Sequence, residues 1–184
     1  MVAGQAFKIG VFGSAGGDNM DRQKKSAYTI GKTIAESGNI LCTGACYGLP
    51  YEAAVGADNF GGTVLGFSPA MNRKEHEEKY EFPTLPHILS FTGMGCKGRN
   101  LICTRTCDAG IFIAGRWGTM NEFTLMVDEG EGKVIGLLYH SGGFVNDVII
   151  PGLGETDKQT KATIIIDDDP VALVERIVNE LSKQ

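Results

Sequence analysis

Short apolar runs alternate along the chain with longer amphipathic segments and with loops rich in glycine. The apolar runs are rich in valine, isoleucine and phenylalanine, a composition that favours β-strands. Strands are predicted at residues 7–12, 40–42, 62–67, 87–91, 111–114, 134–139 and 163–166. Apolar residues recur at helical spacing between them, and helices are predicted at residues 20–37, 50–59, 93–108, after Thr119 and from Pro170. Strands and helices that alternate through short connections predict an α/β fold with a doubly wound, mostly parallel sheet and helices on both of its faces.

Composition narrows the class of protein. Hydrophobic residues make up 42% of the 184 residues and charged residues 21%, which are globular values, and the length fits one domain over residues 1–184. The formal net charge of −5 gives no basic surface for nucleic acid. No run approaches the roughly 20 apolar residues of a membrane span and no signal-peptide pattern occurs, so we expect a cytoplasmic protein with no membrane partner. Five cysteines, an odd number, fit reduced thiols.

Residues 109–122 join an apolar run to a glycine-flanked turn and then to the start of a helix. Gly115 and Gly118 flank the turn, and Thr119 and Glu122 follow it. The backbone N–H groups of such a turn and the positive end of the helix both favour an anion above the strand. The spacing of Thr119 and Glu122 has two interpretations: a capping box that closes the helix start, or a carboxylate placed beside the anion for chemistry. The residues alone favour neither.

Three further loops of small residues follow predicted strands, at residues 13–17, 43–48 and 68–69. In an open parallel sheet, ligands bind outside the carboxyl ends of the strands, where the strand order reverses. Tight turns explain each loop alone, but four such loops together favour a phosphate-bearing ligand, because small side chains let backbone N–H groups approach it. We expect loops 13–17 and 115–119 to lie side by side at this edge. The candidate phosphate-binding residues are Gly13, Ser14, Ala15, Gly44, Ala45, Gly115, Arg116, Trp117, Gly118 and Thr119.

Motifs for the common nucleotide cofactors are absent from the sequence. The first loop lacks the G-x-G-x-x-G fingerprint, Thr43-Gly44 stands where an acidic ribose ligand is expected, and no G-x-x-x-x-G-K-[ST] occurs. Cys96, Cys103 and Cys107 are spaced by seven and four residues and share one helix face. Such thiols either hold a metal or pack as small buried groups, and packing is favoured because structural zinc sites use C-x₂₋₄-C pairs. We therefore expect no metal and no redox cofactor.

Residues 70–83 form the one strongly charged stretch of the chain. Charge runs of this kind are usually solvated surface segments. The alternative is a lid over the ligand site, because the stretch connects the carboxyl end of the third predicted strand to the next strand. His76, in the middle of the stretch, is expected to be exposed.

Residues 114–122, Ala-Gly-Arg-Trp-Gly-Thr-Met-Asn-Glu, resemble P-G-G-x-G-T-x-x-E, the signature of the LOG family of cytokinin-activating nucleotide phosphoribohydrolases in the SLOG superfamily. Ala114 replaces the proline, which we expect to be a mild change, and Arg116 replaces the second glycine. Arg99 is similar to the family's arginine on the preceding helix. Further stretches similar to family motifs are residues 11–14, Val-Phe-Gly-Ser, and residues 43–50, Thr-Gly-Ala-Cys-Tyr-Gly-Leu-Pro.

The resemblance implies a Rossmann-like fold of the LOG type and association into at least a homodimer. It also implies that Glu122 and Arg99 are catalytic: Glu122 acts on the ribose of a nucleoside 5′-monophosphate while the N-glycosidic bond breaks, and Arg99 positions the substrate, so that free base and ribose 5-phosphate are released. The alternative is a non-catalytic binding protein for a nucleotide or a pterin-type cofactor, as in the related molybdenum-cofactor carriers, and Arg116 favours it. The Arg116 side chain either lies at the rim of the anion site or fills it, and we expect the rim because an unpaired buried cation is costly.

Overall fold

A computed structural model describes residues 6–16, 20–86, 88–154 and 160–184 of the protein. Its centre is a seven-stranded sheet in the order β4-β3-β2-β1-β5-β6-β7, and every neighbouring pair of strands is parallel. The strands are β1 (Lys8–Gly13), β2 (Ile40–Thr43), β3 (Thr63–Ser68), β4 (Ile88–Phe91), β5 (Ala109–Ile113), β6 (Val134–Leu138) and β7 (Thr163–Asp167). The helices are α1 (Asp21–Glu36), α2 (Leu49–Asn59), α3 (Arg73–Glu78), α4 (Gly95–Thr106), α5 (Trp117–Glu129), α6 (Ile150–Gly152) and α7 (Pro170–Leu181). A π-helical turn at Val145–Ile149 directly precedes α6.

Helices cover both faces of the sheet, as the alternating pattern predicted. On one face, Ile9 and Val11 of β1 and Ile111 of β5 belong to a buried cluster with side chains of α1, α2 and α7. On the other face, Phe12 and Phe112 stack with ring centroids 5.1 Å apart and pack in a second cluster with α4 and α5. Because successive side chains of a strand point to opposite faces, central strands that are covered on both sides read as continuous apolar runs. The predicted α/β fold, Rossmann-like and doubly wound, is confirmed.

The strand order reverses between β1 and β5. Strands β1, β2, β3 and β4 follow one another in one direction along the sheet, whereas β5 lies on the other side of β1. The loops that follow β1 and β5 are therefore neighbours at the carboxyl edge, where the N–H of Gly115 donates to Oγ of Ser14 over 3.1 Å. This confirms the predicted position of the two loops for residues 13–16, while Gly17 lies outside the described residues.

Two expectations about single side chains were wrong. His76 is fully buried rather than exposed, because its ring nitrogens bond to Ser68 and Pro83 inside the protein. Cys103 and Cys107 are buried as predicted, but Cys96 is exposed, since it lies in the first turn of α4 at the open end of the sheet. Of the predicted strand at residues 87–91, residue 87 lies outside the described part and the remainder forms β4.

The described residues lack two features that would indicate a membrane or a metal partner. No helix there combines the length and the apolar composition that crossing a membrane requires. In the same residues, histidine, cysteine, aspartate and glutamate form no group of three or more that could hold a metal ion.

Candidate functional site

A cavity of about 550 Å³ opens at the carboxyl edge of the sheet, beside the reversal between β1 and β5. Its volume falls in the range of small-molecule sites. The loops after β1, β2 and β5, the starts of α4 and α5, and part of the segment between α3 and β4 form its wall. The lining residues are Gly13, Ser14, Ala15, Cys46, Tyr47, Tyr80, Glu81, Phe82, Cys96, Lys97, Arg99, Asn100, Arg116, Gly118, Thr119 and Glu122.

The amino terminus of α5 forms one side of this cavity. The helix begins at Trp117 with Arg116 as its N-cap residue, and no described side chain caps it. The first N–H groups of a helix have no partner within the helix, and this end carries its partial positive charge. Gly118 and Thr119 line the cavity, and a Cβ on Gly118 would meet no atom of the described residues within 4 Å. The positive end of α5 is therefore open to a ligand.

The turn before α5 has a shape that its residue types explain. Gly115 has a φ of +89°, and a Cβ there would lie 2.3 Å from Oγ1 of Thr119, so the turn closes tightly against the helix. Ala114 has a φ of +51°. Proline is restricted to a φ near −65° and cannot adopt this conformation. The replacement of the motif proline by alanine is therefore not the mild change that we expected, because this backbone requires a residue other than proline.

The side chain of Arg116 lies at the rim of the cavity. It is exposed, it lines the cavity, and its Nη2 is 3.5 Å from the carbonyl oxygen of Gly16. This exposed position agrees with the expectation that the side chain lies at the rim. A guanidinium placed there can pair with two oxygens of a phosphate at once.

Arg99 of α4 and Glu122 of α5 form a buried ion pair at the floor of the cavity. Nη1 of Arg99 lies 3.2 Å from Oε1 of Glu122, and the two residues are only 5% and 8% exposed. A Cβ on Gly44 would lie 2.0 Å from Nη1 of Arg99, so Gly44 leaves the space that the guanidinium fills. Nε of Arg99 has no hydrogen-bond partner among the described residues. This nitrogen is buried and remains an unsatisfied donor among the described residues.

Burial raises the pKa of Glu122 to about 7, although Arg99 and, less strongly, Lys97 lower it. A carboxyl group that titrates near neutral pH can give or take a proton during a reaction. The capping-box interpretation is wrong, because α5 begins at Trp117 and Thr119 therefore lies inside the helix. The carboxylate of Glu122 bonds to Arg99 instead of to the helix start.

The structure brings most of the predicted site residues together but leaves four outside the cavity wall: Gly44, Ala45, Gly115 and Trp117. Gly44 and Ala45 are buried, and the N–H of Ala45 already bonds to Oγ1 of Thr43 over 3.0 Å. Trp117 is 75% exposed and packs against Phe144, with ring centroids 4.9 Å apart. These residues shape the site from outside its surface.

Several cavity residues were missed by the sequence analysis. Tyr80, Glu81 and Phe82 belong to the charged stretch at residues 70–83, which was not among the predicted binding residues. Cys46 and Asn100 also line the cavity, and burial raises the pKa of the Cys46 thiol, an effect that Arg99 partly offsets. The sequence could have indicated both residues, because Cys46 lies in the glycine-rich loop at residues 43–48 and Asn100 directly follows Arg99.

Solved structures share this fold. The X-ray structure of TM1055 superposes with a TM-score of 0.81 at 23% identity, covering 95% of this chain and 99% of that one. The Moco carrier protein from Chlamydomonas reinhardtii, where Moco is the molybdenum cofactor, superposes with a TM-score of 0.77 at 23% identity, covering 98% of this chain and 100% of that one. At these identities the likeness concerns the fold.

The sequence also has a curated relative. An uncharacterized protein from Archaeoglobus fulgidus is 32% identical over 125 residues, which are 68% of this chain and 76% of that protein. The family model of SLOG cluster4 matches residues 6–174. The LOG family itself remains a resemblance carried by the motif. The chain belongs to the SLOG cluster4 family.

Proposed function

We propose that this chain binds a small molecule that carries a phosphate group, either a nucleotide or a pterin-type cofactor related to the molybdenum cofactor. The observation that carries the proposal is the charge of the cavity. Among the described residues, Lys97, Arg99 and Arg116 line it together with two carboxyl groups, Glu81 and Glu122, although the whole chain has a net charge of −5. An excess of cations in one cavity of an acidic protein favours an anionic guest.

The phosphate of this ligand would lie at the amino terminus of α5. Ser14, Gly118 and Thr119 line that part of the cavity, and Arg116 stands at its rim. Helix amides and a guanidinium together form a strong phosphate site. The Moco carrier protein, which has the same fold, is named for a phosphate-bearing pterin cofactor, and this supports the choice of ligand class.

A charge-matched pair of variants at Gly118 tests the phosphate site. A side chain at this position has free space, so Gly118→Asp and Gly118→Asn should both fold. The aspartate places a carboxylate at the positive end of α5, where it competes with the phosphate, whereas asparagine has the same size without the charge. Calorimetric titration with AMP, GMP and inorganic phosphate should show affinity at least about tenfold lower for Gly118→Asp than for Gly118→Asn. Equal affinities would place the phosphate elsewhere.

A second candidate function is hydrolysis of the N-glycosidic bond of a nucleoside 5′-monophosphate. The observation that favours it is the pKa of about 7 for Glu122, beside Arg99 in the cavity. An ionised Glu122 would stabilise the positive charge that develops on the ribose, and Arg99 would position the substrate. Incubation with a panel of nucleoside monophosphates, followed by chromatography of the free base, tests this activity. Base release by the wild type and none by Glu122→Gln is the result expected of an enzyme.

Three further features belong to the same proposal. Residues 1–184 act as one nucleotide-binding domain. The protein works in the cytoplasm, which its five free cysteines support. It associates into at least a dimer, as the motif resemblance implies. An apolar groove of about 650 Å³ beside α5 and β7 offers a surface for this association, because its residues Val148 and Ile166 are each 39% exposed. Light scattering of the purified chain tests the oligomeric state.

A further inference from the structure

The cavity has a second wall, formed by aromatic side chains and one carboxylate. Tyr47 follows β2, and Tyr80, Glu81 and Phe82 lie in the connection from α3 to β4. In the sheet order, β3 is separated from β5 by three intervals between strands. Neighbouring strands lie about 4.8 Å apart, so the two walls belong to strands separated by roughly 14 Å. A nucleotide can extend over such a distance, with its phosphate at one end and its heterocycle at the other.

Buried contacts hold this second wall in place. Nδ1 of His76 lies 2.8 Å from Oγ of Ser68 at the end of β3, and its Nε2 lies 3.0 Å from the carbonyl oxygen of Pro83. The N–H of Phe82 donates to the carbonyl oxygen of His76 over 3.1 Å, and the two rings meet edge to face at 5.7 Å. Tyr80 lies against Phe82 with ring centroids 5.5 Å apart. These contacts anchor the segment around a buried histidine, while Glu77, Glu78, Lys79 and Glu81 remain exposed, as the interpretation of a solvated surface segment predicted.

Glu81 lies between these two anchored aromatic residues. Its φ of +51° is in the left-handed region, which residues with a side chain seldom adopt. Such conformations cost energy and concentrate at binding sites, where the surrounding structure enforces them. Glu81 is exposed and lines the cavity, whereas Glu122, the other carboxyl group among the described lining residues, is buried against Arg99. Glu81 is thus the carboxylate that remains for a ligand.

The chemistry of this wall selects a kind of heterocycle. Aromatic side chains stack on flat rings of any type and do not discriminate strongly among them. A carboxylate discriminates, because it accepts two parallel hydrogen bonds from a ring N–H and a neighbouring amino group. The 2-aminopyrimidin-4-one ring, which guanine and pterins share, presents this pair of donors. Adenine instead presents an acceptor nitrogen beside its amino group.

We propose that Glu81 is the specificity-determining residue of the cavity and that the ligand is the phosphate ester of a 2-aminopyrimidin-4-one heterocycle, a guanine nucleotide or a pterin phosphate. The inference rests on the proposed function, because the phosphate at α5 fixes the other end of the ligand. Glu81 accepts hydrogen bonds from the ring N–H and the amino group, and the aromatic residues beside it cover the faces of the ring. Arg116 and the start of α5 hold the phosphate.

Calorimetric titration of the full chain with GMP, IMP, AMP, 6-hydroxymethylpterin phosphate and inorganic phosphate tests this inference. IMP keeps the ring N–H of GMP but lacks the amino group. The variant is Glu81→Gln, which keeps the size and backbone demand of glutamate but replaces one acceptor oxygen with an NH₂ donor. The matched control is Glu78→Gln on α3, because Glu78 is exposed and does not line the cavity. Circular dichroism establishes that both variants fold.

The wild type and Glu78→Gln should bind GMP or the pterin phosphate about tenfold or more tightly than AMP, with IMP between them. Glu81→Gln should lose this preference while its affinity for inorganic phosphate stays the same. Whichever of the two heterocycles binds more tightly identifies the source of the ligand. Equal affinity of the wild type for all of the nucleotides and the pterin, or a preference that survives in Glu81→Gln, would overturn the role of Glu81 and leave the proposed function standing. Failure of every compound, including inorganic phosphate, would overturn the proposed function itself.

Discussion

The buried carboxyl group of Glu122 makes the stability of the protein depend on pH in a way that one substitution isolates. Burial raises the pKa of this group from an ordinary 4.5 to about 7. As pH rises above 4.5, the unfolded chain loses this proton while the folded chain keeps it until about pH 7. The folded state then binds more protons than the unfolded state, so the free energy of unfolding falls as pH rises through this window and levels off above it.

The size of the effect follows from the two pKa values. Each pH unit between them corresponds to about 1.4 kcal/mol, so the interval from 4.5 to about 7 amounts to roughly 3 kcal/mol. Glu122→Gln removes this titration. The free energy of unfolding of the wild type, taken relative to that of Glu122→Gln, should therefore decrease by roughly 3 kcal/mol between pH 4 and pH 8. Taking the difference between the two proteins cancels the titration of the groups that they share.

Urea unfolding at a series of pH values, followed by far-ultraviolet circular dichroism, measures this difference. Fluorescence is a poor probe, because Trp117 is 75% exposed in the folded protein. Glu129→Gln is the control: Glu129 lies on the same helix, and its ion pair with Arg105 is partly exposed. The control should follow the wild type in parallel from pH 5 to pH 8. A constant difference between the wild type and Glu122→Gln over that range would refute the reasoning, because Glu122 would then titrate outside it.

Two other substitutions test the site. Arg116→Gly should weaken the binding of a nucleoside monophosphate by about 1.5–3 kcal/mol, which is the scale of a charge-assisted hydrogen bond. Calorimetric titration measures this change, with Arg105→Ala as the control. Tighter binding would mean that Arg116 blocks the site, and newly gained hydrolysis would mean that Arg116 silences an enzyme. Gly44→Ala should lower the free energy of unfolding by about 3 kcal/mol, because the added Cβ displaces Arg99 from its buried ion pair. Gly152→Ala, whose Cβ meets no atom within 4 Å in the described part of the chain, is the matched control, and equal unfolding midpoints for the two alanine variants would contradict the packing argument.

The fold and the location of the site were predictable because both depend on local patterns. Apolar runs of strand length between amphipathic segments specify a parallel sheet, and a parallel sheet brings the carboxyl ends of its strands to one edge. Ser14 and Gly115 are 101 residues apart in the chain, yet their position at the ends of apolar runs was enough to predict that they meet. The resemblance to the LOG family, rather than these patterns, predicted that Arg99 lies beside Glu122, and both residues line the cavity.

The remaining features depend on tertiary contacts that no local pattern records. His76 lies in a charged stretch, and it is buried because its ring nitrogens form hydrogen bonds with Ser68 and Pro83. Thr119 and Glu122 have the spacing of a capping box, but the helix begins two residues before Thr119. The carboxylate of Glu122 accepts a hydrogen bond from Arg99 and not from the start of the helix. Glu81 gives no signal in the sequence, since its left-handed backbone is imposed by the contacts of its neighbours. Side-chain packing, rather than any pattern of residue types, therefore decided these details.

The central claim is that a phosphate group binds at the amino terminus of α5, beside the loop after β1. Nuclear magnetic resonance of the ¹⁵N-labelled chain tests it most directly, because each backbone amide reports its own surroundings during titration with GMP and with inorganic phosphate. We expect the amide signals of Gly118 and Thr119 to shift and saturate with both compounds, and the signals of residues 80–82 to shift with GMP alone. Signals of Gly118 and Thr119 that stay in place while others shift would contradict the account.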